Sequence, residues 1–563
     1  MPVGTVNLET APDHAEQQHR IEPMGDPDDP VMPFDHDSER SHRAAILASD
    51  GPDQMNDSPV LIAGAGPTGL ALALWLTRLG IRVRLIDRST GPGLTSRALA
   101  VQVRTLEFYR QLGIADLVID GGVEIAGINF WVQGSRRARV PLRQIGQGMS
   151  PYPFALVFPQ HAHERLLIAQ LEKLGVTVER RTELVRMSQD AAGVSVTLRR
   201  PDGSEENSRI EYLAGCDGAS SITREQLGIG FPGGTYSGLF YVADVDASGS
   251  AIDRELHVDL ENADFVLLFP MKEQGRVRLV GLVREQEKTR SGELSFDHVR
   301  GKAIEHLRLT VSRVHWFSTY RVHHRVADSF RNSRVFLLGD AAHIHSPVGG
   351  QGMNTGIGDA VNLAWKLASV LKGGAAPSLL DSYEPERIAF ARRLVATTDQ
   401  GFTIVTRRGA IAQFVRTRLV PMLVPLLSRL PQFRRFLFRT VSQIVVNYRQ
   451  SPLSTGSAGS IQGGDRLPWV PIKEGQDNFA PLASIDWQAH LYGEARAGLV
   501  EACTGLRLPL HVFRWMPAME PAGLKRGALY LIRPDGYVAL ADSAGKPENL
   551  LRYFHERAIK PVR

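Results

Sequence analysis

Three glycine-bearing segments hold the residue types and spacing for chemistry. The first is Gly64-Ala65-Gly66-Pro67-Thr68-Gly69. A short apolar run, Val60-Leu61-Ile62-Ala63, precedes it, and the apolar stretch LALALWLTRLG follows it. The next apolar-rich run, Ile81 to Ile86, ends on Asp87, 18 residues after Gly69. Strand, glycine turn, helix, strand and acid in this order suit a dinucleotide. Gly64 permits the tight turn, Gly66 lets a pyrophosphate approach the backbone, and Gly69 lets helix and strand pack closely. The helix N-terminus offers free N–H groups and partial positive charge to phosphates. Asp87 can accept both hydroxyls of a ribose. Such glycines alone are a weak signal, but this context favours dinucleotide binding over a turn of no function. Which dinucleotide is left open.

The second segment runs from Cys216-Asp217-Gly218 through Ser221 and Thr223 to Arg224. By itself it reads as a capped strand-to-helix turn, with Asp-Gly as the turn and serine as the cap. The third runs from Arg334 through Gly339-Asp340-Ala341-Ala342-His343 and Ile344-His345-Ser346-Pro347 to Gly349-Gly350-Gln351-Gly352-Met353-Asn354. A buried strand leads into it, and a long helix from Thr355 to Leu371 leaves it. Small residues at a helix N-terminus let a flat ring approach backbone N–H groups, a field that stabilises negative charge on a reduced flavin.

In this order and spacing the three segments resemble the FAD-dependent aromatic hydroxylases, the single-component flavoprotein monooxygenases. The family patterns are G-x-G-x-x-G, D-G-x-x-S-x-V-R and G-D-A-A-H, and Thr223 stands here in place of the usual valine. The resemblance covers about Pro59 to Gln400 and extends to the Ser96–Glu107 and Phe158–Glu164 segments. It implies that Gly64, Gly66 and Gly69 cradle the FAD pyrophosphate and that Asp87, with Arg88 beside it, serves the adenosine ribose. Arg97 and Gln160 are implied at the phosphate and ribose region, and Gly339-Asp340 at the pyrophosphate or ribityl chain. Gly350, Gln351, Gly352, Met353 and Asn354 would line the isoalloxazine. Asp217 and Arg224 would serve FAD and the docking of NADH or NADPH. The implied reaction takes O2 and an aromatic, phenolic substrate and hydroxylates it through a flavin C4a-hydroperoxide. Pro347 and the Gly350 backbone are implied near the reacting atom. His345 is a candidate for a phenol proton, and His343 reads as structural.

The elements that must hold these residues follow from the apolar patterns. The expectation is an α/β chain with a Rossmann-type FAD-binding domain over 58–235 and 325–400. An antiparallel substrate sheet is inserted over 236–324, a helical connector spans 401–450, and a thioredoxin-like domain occupies 451–563. Alternation is clear in Arg276-Val277-Arg278-Leu279-Val280-Gly281-Leu282-Val283. Phe240, Tyr241, Phe265, Leu267, Phe269 and Trp316 are the candidate wall of an apolar substrate pocket, each with plain core packing as the rival reading. Leu529–Ile532, Arg533-Pro534-Asp535-Gly536 and Tyr537–Leu540 predict a hairpin. It resembles the closing hairpin of the thioredoxin-like domain of phenol and hydroxyphenylpropionate hydroxylases. That domain would be redox-inert, because Cys503 is its only cysteine.

Composition narrows the rest. The chain has 563 residues, 65 Lys+Arg, 60 Asp+Glu and two cysteines. This excludes a disulfide framework or a cysteine zinc cluster and suits a reducing, cytoplasmic setting. No metal spacing and no nucleic-acid motif is present. Residues 1–57 carry 13 acids, three bases and seven prolines. They are expected to be a disordered acidic tail, with a start at Met55 as an equal reading. The remainder is correspondingly basic, which suits phosphate-bearing cofactors and anionic substrates. Residues 401–450 hold nine arginines among apolar residues. They are read as packed helices with a solvated basic face, in preference to a membrane-surface helix. The longest apolar run there is too short and proline-broken to span a bilayer. A homodimer is open. The rival functions are a related flavin oxygenase (an epoxidase, a Baeyer-Villiger-type enzyme or a natural-product tailoring enzyme of polycyclic aromatics) and a non-catalytic flavin-binding protein. A flavin halogenase is disfavoured, because its W-x-W-x-I-P motif is missing.

Overall fold

A computed structural model describes residues 58–561 apart from 94–97, 144, 261–265, 284–293, 300, 347, 407–408, 410–412 and 474. The expected acidic tail, Arg97, Phe265 and Pro347 therefore lie outside the described residues.

The run Val60–Ala63 is apolar at every position because both faces of its strand are covered. Val60 and Ile62 face a core built with the helices, while Leu61 and Ala63 face a second core. Val60–Ala63 pairs in parallel with Val83–Asp87 on one side and Tyr212–Gly215 on the other. Val335–Leu337 and Val178–Arg180 extend this sheet, and Arg331–Asn332 adds an antiparallel edge. Helices Pro67–Arg78, Gln160–Glu172 and Gly352–Leu371 build the first core. A three-stranded antiparallel meander, Glu183–Gln189, Val194–Arg199 and Glu205–Ile210, covers the other face.

An eight-stranded sheet stands beside this unit. Its order is His343–Ile344, Leu309–Val326, Gly233–Gly249, Arg276–Leu282, Val266–Pro270, Leu256–Asp259, Gly127–Val132 and Ser135–Pro141. The sheet expected inside 236–324 thus borrows two strands from 127–141 and one from 343–344. Leu256–Asp259 has a parallel partner only in Gly127–Val132, so the inserted segment cannot complete the sheet alone. Side chains alternate across it. Tyr241, Leu268 and Leu279 pack with Phe296 and Leu307 on one face, and Phe240, Leu267, Phe269 and Val280 point into a cavity on the other.

Residues after 451 form a six-stranded sheet, ordered Ile461–Gln462, Thr455–Ala458, Val538–Asp542, Leu529–Ile532, Gln488–Tyr492 and Leu510–Phe513. Gln488–Tyr492, helix Ala497–Gly505 and Leu510–Phe513 make a parallel strand–helix–strand unit. The expected hairpin is antiparallel to it, and helix Pro547–Glu556 follows. This is the strand order of a thioredoxin-like sheet. Gly536 closes the hairpin turn at φ +76°, a conformation that glycine adopts without strain.

Buried ion pairs fasten this sheet to the rest. Arg533 donates to both oxygens of Glu386, at 2.8 and 3.0 Å, and Lys366 donates to the same carboxylate at 2.9 Å. Arg104 donates to the Asp535 carbonyl at 2.7 Å and to Glu107 at 2.9 Å. Arg104 and Glu107, part of the Ser96–Glu107 segment, are thus structural bolts.

The connector departs from the packed-helix reading. Helices Val420–Leu427 and Pro431–Val441 leave Met422, Leu426, Leu430 and Phe436 more than half exposed. Among the described residues no helix is long and apolar enough to cross a membrane.

Candidate active site

One cavity of about 1390 Å³ runs from the first glycine turn to the eight-stranded sheet. That exceeds the roughly 300–1,000 Å³ of an ordinary small-ligand pocket and leaves room for a dinucleotide together with a second ligand.

At the dinucleotide end the cavity is lined by Gly64, Gly66, Asp87, Arg88, Gln160 and Asp217. Gly64 sits at φ +106°, and a Cβ there would meet the Cys216 carbonyl oxygen at 2.3 Å. Gly69 packs instead of lining: its Cβ would fall 1.9 Å from the Gly64 carbonyl oxygen. Gly66 differs from both, since a Cβ on it meets no protein atom within 4 Å. The backbone there is open to a ligand. Asp87 is pre-oriented: Ala65 N–H donates to Oδ2 at 2.7 Å and Ser89 N–H to Oδ1 at 2.8 Å. Oδ1 also accepts from the Ser89 hydroxyl, and Oδ2 keeps a second acceptor site for a ribose hydroxyl. Gln160 is held by its donation to Glu164 at 2.8 Å. Glu164 lines the cavity as well, with its pKa raised by burial.

Two helix N-termini meet this cavity. Helix Pro67–Arg78 and helix Gly352–Leu371 carry no acid in their first turns, so their partial positive charges are not cancelled locally. The residues here therefore fit FAD: a ribose acceptor, a turn open to a pyrophosphate, and a second positive helix end for the ring.

The Gly349–Met353 loop lines the cavity and is braced from outside it. Gly349 and Gly350 adopt φ +78° and +62°. Gln102 donates to the Gly349 carbonyl at 2.8 Å. Asn354 donates to the carbonyls of Gly350 and Ala100, at 2.8 and 2.9 Å, and accepts from Gln102 N–H and the Thr105 hydroxyl. It does not line the cavity: it positions Gly350 from behind. Gly339 also packs, since a Cβ there would lie 2.6 Å from the Thr68 hydroxyl oxygen. Asp340 lines the cavity and is exposed.

Arg224 is turned away as well. It donates to the Ala341 carbonyl at 2.9 Å and the Ala219 carbonyl at 2.8 Å, and stacks 3.9 Å over Phe231. Asp217 accepts from the Thr223 N–H and hydroxyl, both at 2.9 Å, while Ser221 caps the helix at Arg224 N–H. The capped-turn reading describes this geometry, with Asp217 also reaching the cavity wall.

His343 and His345 diverge in environment. His343 Nε2 bonds Asp359 at 2.7 Å, and Asp359 also accepts from Gly339 N–H at 3.0 Å and from Arg387 at 2.6 Å. That buried set locks the strand–helix junction. His345 lines the cavity, and its Nδ1 bonds the Ser346 carbonyl at 2.8 Å, so Nδ1 carries the proton. Its Nε2 is buried and has no hydrogen-bond partner. Burial pushes its pKa down to about 4, which leaves Nε2 as an acceptor at neutral pH.

At the far end Phe240, Leu267, Phe269 and Trp316 line the cavity, joined by Phe130, Phe154 and Tyr320. Tyr241 does not line it; it is neighbour to Phe240 on one strand and so points to the opposite face. Sequence reasoning missed Arg416. It sits in a π-helical turn, Val415–Leu419, is 6% exposed, and lines the cavity. Its place in an arginine-rich run gave no sign of burial. Among the described residues no His, Cys, Asp or Glu cluster could hold a metal ion.

Comparison with known proteins agrees with this geometry. Residues 57–398 match the family model described as an FAD binding domain. The chain is 36% identical over 420 residues to 6-methylpretetramide 4-monooxygenase of Streptomyces rimosus, covering 73% of this chain and 74% of that one. The structure is similar to that of anhydrotetracycline hydroxylase from Streptomyces rimosus, with a TM-score of 0.72, 28% identity, and coverage of 89% and 99% of the two chains. It is also similar to aklavinone-11 hydroxylase solved with FAD and aklavinone, with a TM-score of 0.70, 25% identity, and coverage of 89% and 99%.

Proposed function

Because this chain belongs to the FAD-dependent aromatic monooxygenase family, we propose that it hydroxylates a polycyclic phenol with NADH or NADPH and O2. The observation that carries this reading is the single cavity joining the Gly64–Gly69 turn, the Gly349–Met353 loop and an apolar, sheet-lined chamber. Relatives named for 6-methylpretetramide, anhydrotetracycline and aklavinone support a large ring system, and the volume accommodates one.

Gly64, Gly66, Asp87 and Gln160 hold the adenosine and pyrophosphate of FAD, and Gly350 to Met353 hold the ring. Bound FAD supplies two-electron chemistry from the nicotinamide donor and activation of O2. The protein supplies the rest. Phe240, Leu267, Phe269 and Trp316 exclude water and fix the plane of the aromatic substrate. Arg416 faces the phenolic oxygen and favours its ionised form. His345 accepts a hydrogen bond at Nε2 and orients the substrate. Burial lowers its pKa to about 4, so the ring is neutral at neutral pH and Nε2 is open to a phenol proton. A cytoplasmic setting accords with two free cysteines, Cys216 and Cys503.

The test is direct. Purified protein should carry FAD, and polycyclic phenols should stimulate NADH or NADPH oxidation. One oxygen atom from isotope-labelled O2 should appear in the product by mass spectrometry. A colourless protein that cannot be loaded with FAD, or donor oxidation that yields no oxygenated product from any phenol, refutes the reading.

A further inference from the structure

The helices that close one side of the cavity carry a second face. Val420, Leu437 and Phe438 line the cavity. From the same two helices and their junction, Met422 is 60% exposed, Leu426 56%, Leu430 54% and Phe436 67%. Met422 and Leu426 lie one turn apart and share a helix face, as do Leu423 and Leu427, both also exposed. Single exposed apolar side chains are ordinary, but a contiguous set rimmed by polar residues marks a docking surface. The rim here is cationic: Arg418, Arg429, Arg435 and Arg439 are exposed. Residues 401–450 contain nine arginines and no aspartate or glutamate.

We propose that this face docks the enzyme on an anionic lipid surface. The leucines, Met422 and Phe436 enter the boundary between headgroups and acyl chains, and the arginines meet the lipid phosphates. Charge selects this occupant. A second copy of the chain would set the exposed Arg418, Arg429, Arg435 and Arg439 against their counterparts, without a carboxylate in residues 401–450 to relieve them. The chain's own residues 1–57 are acidic, with 13 acids against three bases, but their apolar side chains are scattered among these charges and seven prolines, with no amphipathic period to match an apolar face of this extent. A bilayer supplies both apolar depth and negative charge. Val441 belongs to both faces, lining the cavity and standing 38% exposed. A docked enzyme therefore meets bilayer-dissolved apolar compounds at the rim of its cavity.

The experiment is co-sedimentation of the full-length, FAD-loaded protein with phosphatidylglycerol vesicles and with phosphatidylcholine vesicles. Binding should be about tenfold or more stronger to phosphatidylglycerol, and should weaken as salt rises. The double variant Leu426→Asp/Phe436→Asp should bind about tenfold less or worse, with FAD content and melting temperature unchanged. Arg429→Gln/Arg435→Gln, which leaves the apolar residues in place, should weaken binding to phosphatidylglycerol alone. Equal binding to both lipids, no binding, or binding indifferent to all four substitutions overturns the proposal. So does a parent dimer that the Asp variant splits in sedimentation velocity, which gives the face to a second copy. Vesicle binding that appears only after residues 1–54 are removed gives it to the chain's own acidic segment and likewise overturns the proposal.

Discussion

Gly66 and Gly69 share one motif, yet the structure gives them different reasons to be glycine. Gly66 has φ −77° and ψ −178°, a conformation open to any residue, and a Cβ there meets no protein atom within 4 Å. Gly66→Ala therefore has no clash to resolve in the FAD-free protein. As the N-cap of helix Pro67–Arg78, alanine costs about 0.5–1 kcal/mol relative to better caps. The smaller entropy of the unfolded chain returns about 0.4–1 kcal/mol. Unfolding of the FAD-free protein should stay within about 0.5 kcal/mol of the parent. Bound FAD changes the sum, because the added methyl then occupies the space of the pyrophosphate. Overpacking of this kind costs about 1–3 kcal/mol, so FAD affinity should fall roughly 5- to 150-fold. Gly69→Ala should behave in the opposite way. Its Cβ would lie 1.9 Å from the Gly64 carbonyl oxygen and 3.3 Å from the Cys216 side chain. The FAD-free protein itself should lose about 1–3 kcal/mol, a drop of roughly 1–3 °C in melting temperature for a cooperative unit as large as Pro52–Arg563. FAD titration followed by flavin fluorescence gives the affinities, and calorimetry of FAD-free protein gives the stabilities. If Gly66→Ala binds FAD like the parent, the turn does not touch the pyrophosphate. If it melts as early as Gly69→Ala, the open space beside Gly66 is wrong. Either result refutes the assignment.

Three other perturbations test the site and its supports. Asp359→Asn removes the carboxylate shared by His343 and Arg387 and leaves Arg387 buried without its counter-charge. It should cost about 3–5 kcal/mol in thermal unfolding, and a loss below about 1 kcal/mol would show that the pair contributes little. Burial holds His163 at about 3 and His345 at about 4, below the ordinary 6.5. The unfolded chain therefore binds protons that the folded chain refuses, and stability is full above pH 6.5 and falls as pH drops toward 4. His345→Gln should flatten that fall in denaturant titrations run across this range, and an unchanged slope would place its titration elsewhere. Arg416→Met keeps the bulk of the side chain and removes the charge. On a phenolic substrate it should raise KM about tenfold or more, as expected for a charged hydrogen bond of about 1.5–3 kcal/mol, with FAD content unaltered. An unchanged KM removes Arg416 from the substrate site.

How much of this was legible in the chain depends on the range of the physical cause. The strand Val60–Ala63 and its glycine turn were readable, because burial on both faces forces an unbroken apolar run and the turn chemistry is local. The hairpin at Arg533–Tyr537 was readable for the same reason. The substrate wall was readable only in part. Phe240 and Tyr241 are adjacent on one strand, so period-two alternation forbids both from lining one cavity, but it does not say which one does. Arg224 and Asn354 carry motif positions, yet their side chains are spent on Ala341 and Ala100, more than a hundred residues away. The bolts Arg533–Glu386 and Arg104–Asp535 are equally distant pairings. Arg416 and the connector show the limit most clearly. An arginine-rich apolar segment has the same composition whether its apolar face meets protein or stands in solvent. Here the fold uses both faces: Arg416, Val420 and Phe438 turn inward, while Met422, Leu426 and Phe436 turn outward. The π-helical turn at Val415–Leu419 widens the helix where the segment enters, so a regular helical period carried through it misplaces the inward face. Such a departure is fixed by tertiary packing, and no count of residue types foretells it.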